Sequence, residues 1–164
     1  MQFLRSILFE RSRPFWQFCL LAFPVALIPS IVLLGCIHLL LAAAGANMAL
    51  LDSPEREASM AVFLGSVFFA SVVETFLLGG LLGLLGRLST NKPFIATISG
   101  LLWGALHAAS GVLLFFGTAW SFFVFSCVFQ SWRVVSFKQA FVVALVPHML
   151  INVTVIGILA MARN

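Results

Sequence analysis

Glu74, His107 and His148 are ionisable side chains set well inside three separate apolar stretches of the segment from Ala58 to Met161, and Asn152 follows His148 by four residues. A carboxylate in hydrocarbon costs several kcal/mol, so an intramembrane Glu is a functional-site hypothesis by default. A Glu beside a neutral His can hold a water between them, the carboxylate acting as general base and the imidazole sharing or returning the proton. A second His with an Asn one turn later supplies donors for a developing oxyanion. The same Glu, His and His can instead ligate zinc, build a proton relay, or simply bond helix to helix. Hydrolysis, metal binding, proton transfer and structural bonding thus all remain open at this stage.

Composition decides what kind of scaffold must position these groups. The chain has 164 residues, of which 62% are hydrophobic and 9% charged, with a mean hydropathy of +1.15. A soluble domain of this size cannot hide that much apolar surface, so the composition points to one compact all-α membrane bundle. The net charge of +4 does not point to nucleic acid, because the basic residues stand singly or in pairs between apolar spans. Cys19, Cys36 and Cys127 are odd in number and widely spaced, and read as buried thiols.

Breaking the chain at its charges predicts five spans: Phe15 to Ala44, Ala58 to Leu85, Pro93 to Ala109, Gly111 to Trp132 and Gln139 to Met161. Each approaches or exceeds the ~20 residues that cross a bilayer, the third being shortest. The first is too long for a cleaved signal segment and is expected to remain as a spanning helix. Pro24 and Pro29 are expected to kink or break it. The uncharged run from Pro93 to Trp132 reads as a helical hairpin, with Ser110, Gly111, Gly117 and Thr118 as places to turn. Arg5, Arg11, Arg13, Arg87, Lys92, Arg133 and Lys138 fall on one side, seven of the nine basic residues. Asp52, Glu55, Arg56 and Glu57 fall on the other, so the positive-inside rule places the N-terminus in the cytoplasm. Residues 1–57 form a leading helix with an external loop, and residues 58–164 a core.

At ~1.5 Å of rise per residue, Glu74 lies roughly 20 Å from Arg87, His107 roughly 22 Å from Lys92, and His148 and Asn152 roughly 15 and 21 Å from Lys138. The four groups therefore share a depth, and His148 and Asn152 share a helix face. Gly79, Gly80, Gly83, Gly100, Gly104, Ala105, Ala108 and Ala109 around them permit close helix approach. His38, near the outer end of the first span, reads as an interfacial or packing residue, and Phe122, Phe123 and Phe125 as lipid-facing or packing groups.

Three ordered motifs carry these residues: Glu74-Thr75-Phe76-Leu77-Leu78-Gly79-Gly80, Trp103-Gly104-Ala105-Leu106-His107 and His148-Met149-Leu150-Ile151-Asn152. In order and spacing they resemble the CPBP family, the CAAX-protease and bacteriocin-processing intramembrane proteases also called Abi. Its signature is Glu-Glu-x-x-x-Arg-Gly, then Phe-x-x-x-His, then His-x-x-x-Asn. Gly80 falls on the family's Gly when Glu74 is matched to the first Glu, whereupon Thr75 replaces the second Glu and Gly79 the Arg. The resemblance implies that Glu74 activates the attacking water with help from His107, while His148 and Asn152 stabilise the oxyanion. It implies a cofactor-free intramembrane endopeptidase of a bacterial inner membrane, acting on a protein or peptide substrate, with zinc left open by the donor set itself. A catalytically silent member serving bacteriocin immunity or regulatory binding is the alternative that Thr75 and Gly79 raise.

Overall fold

The computed structural model describes residues 8–9, 14–47, 51 and 59–161. Arg5, Arg11 and Arg13, and Asp52, Glu55, Arg56 and Glu57, on which the orientation partly rests, lie outside the described residues. Among the described residues the chain is an all-α bundle of five long helices: α1 (Phe15–Ala43), α2 (Met60–Leu88), α3 (Lys92–Ala108), α4 (Leu114–Arg133) and α5 (Phe137–Met161). All but α3 are long and apolar enough to cross a membrane, the composition of a multi-pass membrane protein. The 17 residues of α3 span roughly 25 Å at the usual rise.

Local chemistry sets the ends. Ser59 Oγ accepts from Val62 N, Asn91 Oδ1 from Phe94 N, and Ser136 Oγ from Gln139 N, so α2, α3 and α5 each start on a side-chain cap. At the far end of α1, Ala46 N donates to Leu41 O and Gly45 N to Ala42 O, with Gly45 at φ 76°. That pair of bonds around a left-handed glycine is a Schellman stop. The predicted hairpin between α3 and α4 turns at residues 109–113, whereas Gly117 and Thr118 continue inside α4.

Both prolines of α1 are accommodated within one continuous helix. Pro29 has no N–H to give the carbonyl of Val25 four residues back. Trp120 Nε1 of α4 donates to that carbonyl at 2.9 Å. One turn on, Ser30 Oγ donates to Gly117 O at 2.8 Å and lies 2.8 Å from Ser121 Oγ. The proline that would break α1 therefore fastens it to α4. In membranes such interhelical bonds and close backbone approach replace the hydrophobic drive.

Helix α4 is the hub, in contact with every other helix, and its Phe122, Val124, Phe125, Val128 and Phe129 are buried. Gly100 and Gly104 let it approach α3. A Cβ on Gly100 would stand 2.6 Å from Ala119 O, and one on Gly104 2.9 Å from Phe115 O. Ser126 Oγ donates across the same seam to Ser99 Oγ. Gly80 and Gly83, by contrast, face open space. Cys19 and Cys127 are buried as expected, but Cys36 is exposed. It sits past the part of α1 that packs on the bundle, where neighbouring residues are exposed too. His38 lies on that same exposed end.

Candidate functional site

Glu74 sits in α2 just beyond a π-helical segment, Gly65–Ala70, that interrupts the regular α-turns of the span. His107 is the penultimate residue of α3, and His148 follows Pro147 within α5. The structure brings the three together: Glu74 Oε2 lies 3.8 Å from His107 Nε2 and 3.5 Å from His148 Nε2. Their shared depth follows from similar distances to the basic helix ends at Arg87, Lys92 and Lys138.

The two imidazoles are held in complementary ways. His107 Nδ1 lies 3.0 Å from Trp103 O, one turn earlier. A carbonyl only accepts, so Nδ1 carries a proton, and in the neutral tautomer this leaves the Nε2 lone pair facing Glu74. In that tautomer the two acceptors, 3.8 Å apart, cannot bond directly, but one water can donate to both. His148 is the opposite case. Its Nε2 faces a carboxylate oxygen, which favours a proton there, leaving Nδ1 to accept from the Thr75 hydroxyl at 3.5 Å.

Aromatic rings fix both orientations. Phe125 stacks on His148 with centroids 5.1 Å apart, and Phe122 meets the edge of the same ring at 5.3 Å. Phe122 also lies 5.7 Å from His107 and stacks on Trp103 at 4.4 Å. Of the two readings, lipid-facing or packing, Phe122 and Phe125 take the second, and their place against the imidazoles is what their sequence gave no means of assigning.

Asn152 comes to the same wall but points differently. Its Nδ2 donates to Ser66 O at 2.9 Å and to Ser71 Oγ at 2.9 Å, and Ser71 Oγ donates in turn to Ser66 O. Both N–H groups of the amide are therefore engaged with the π-helical segment. Ser66 and Ser71 do not stand out in the sequence, and Thr75 does so only as the replacement of a motif Glu. The available signal was the spacing of the two serines, five residues rather than three or four, which is the register of a π-turn.

A cavity of about 280 Å³ opens onto these groups, with Glu74, His107, His148 and Asn152 on its wall. Ser30, Ile31 and Leu34 of α1 also line it, so the leading helix contributes to the site enclosure. Ile31 is half exposed, placing one edge of the cavity at the outer surface of the bundle. Among the described residues, no cluster of three His, Cys, Asp or Glu side chains is arranged to hold a metal ion.

Thr75 and Gly79, where this sequence departs from the motif it resembles, are both accommodated in the packing. Thr75 is buried against His148. Gly79 leaves room for two rings: a Cβ there would stand 2.9 Å from Phe129 and 3.2 Å from Phe137. No family model, curated protein or solved structure matches the chain. The resemblance accordingly rests on the three motifs alone.

Proposed function

We propose that this chain is an intramembrane endopeptidase that hydrolyses a peptide bond with a glutamate-activated water. The observation that carries the reading is a carboxylate held between two imidazoles, on the wall of a cavity inside a bundle of membrane-length helices. Glu74 takes a proton from the water while His107 Nε2 keeps that water oriented. The hydroxide attacks the substrate carbonyl, and His148 Nε2–H donates to the oxygen on which charge develops. The proton held by Glu74 then passes to the departing amine. Thr75 and Gly79 leave neither an unpaired charge nor an unfilled gap, so the departure from the motif is compatible with an intact site.

The reading includes a cytoplasmic N-terminus, a bacterial inner membrane and a protein or peptide substrate. It requires no metal, although the two imidazoles and the carboxylate are the donor types of a catalytic zinc site. The test is cleavage of internally quenched apolar peptides by the purified protein in detergent and in liposomes. Glu74→Gln and His107→Ala are expected to lower the rate at least about 10²-fold, with no loss on chelation of the wild type. Full activity in both variants removes the reading, activity lost with stoichiometric zinc replaces it with a metalloenzyme, and cellular function that survives Glu74→Ala points to a binding role.

A further inference from the structure

In the hydrolytic reading an Asn one turn after His148 is the natural second oxyanion donor, yet Asn152 has no N–H to spare. Its two donors end on Ser66 O and Ser71 Oγ, both at 2.9 Å. The Ser66 carbonyl accepts from Asn152 and from the Ser71 hydroxyl, so both its lone pairs are used. Ser71 is fully buried and does not line the cavity, whose wall on α2 is Ser66, Ala70 and Glu74.

These bonds have a geometric effect. A π-turn places one more residue in the turn than an α-helix does, rotating the parts of the helix on either side by ~100° relative to each other. It also weakens the regular backbone ladder, and π-turns persist where something else holds their carbonyls. Here α5 supplies that hold, one turn beyond His148. The element that carries Glu74 is thereby fixed in rotation to the element that carries His148.

We infer that Asn152 and Ser71 form a clamp on the π-helical segment, and that Asn152 is a positioning residue for Glu74 rather than a donor to the oxyanion. The inference deepens the hydrolytic reading and rests on it for the word positioning; the clamp itself does not. It assigns a function to Ser71, which no substrate can reach, and leaves His148 Nε2 as the side-chain donor nearest Glu74.

The experiment is a double-mutant cycle of Ser71→Ala and Asn152→Ala in the full chain, read by thermal unfolding in detergent and by cleavage of internally quenched apolar peptides. Asn152→Leu fills nearly the same space without a donor and serves if the alanine variant fails to fold. In the expected result both single variants melt lower and the double variant melts no lower than the worse of them. Amide exchange over residues 67–72 speeds up in each, and kcat falls by up to about 10²-fold in each at unchanged KM, as a small misplacement of a reacting group does. Unfolding losses that add overturn the clamp. Wild-type kcat in Ser71→Ala beside a crippled Asn152→Ala restores Asn152 as an oxyanion donor and overturns the positioning role. Coupled unfolding together with a wild type that cleaves nothing supports the clamp and removes the hydrolytic reading instead.

Discussion

Among single residues, Glu74, His107 and His148 were legible because charge and imidazole are rare in hydrocarbon and their distances from flanking basic residues agree. Their convergence within 3.8 Å is the structural counterpart of that depth argument. What stayed hidden was how uncharged neighbours aim them. Thr75 reads in sequence as the loss of a family Glu, but it packs against His148 Nδ1. A net hydrogen bond of about 1 kcal/mol corresponds to roughly a fivefold effect. Thr75→Val, which keeps the shape and removes the hydroxyl, is expected to lower peptide cleavage about fivefold through loss of the favoured His148 tautomer, whereas Thr75→Ser retains it. Steady-state rates for the pair decide the matter: equal rates deny the hydroxyl any part.

Among the helices, apolar runs bounded by charges located all five to within a few residues, since a bilayer leaves little freedom in how such runs fold. The third was expected over Pro93–Ala109 and is observed as Lys92–Ala108. The π-helical interruption was not legible, because its evidence is a two-serine spacing that makes sense only once α5 is beside it. Small residues also needed the structure to be sorted. Gly100 meets a backbone carbonyl and Gly80 meets nothing, although both looked alike in sequence. Gly100→Ala is expected to destabilise by about 1–3 kcal/mol, the usual cost of overpacking, while Gly80→Ala leaves the unfolding midpoint near wild type. Thermal unfolding of the two variants in the same detergent measures the contrast, and similar midpoints would show that α3 and α4 can part at little cost.

For the whole molecule, Arg87, Lys92, Arg133 and Lys138 gather at one end of the bundle, where α2 passes to α3 and α4 to α5. In the proposed orientation, which follows the positive-inside rule, that end is cytoplasmic. In a Cys36→Ser background, Lys138→Cys, at an exposed site, is expected to react with a membrane-impermeant maleimide only after the cells are opened. Labelling in intact cells would invert the topology and move the cavity, which lies toward the opposite end, to the other leaflet.

The single extra residue in the π-turn of α2 makes span and phase separate properties of one helix. Adding or removing a residue elsewhere in a membrane helix changes its reach by ~1.5 Å and turns everything beyond it by ~100°. In α2 the surplus is already absorbed at a fixed point, the segment held by Asn152 just before the turns that carry Glu74. The hydrophobic length that suits the bilayer and the compass bearing of the carboxylate are thus set by different residues of one helix.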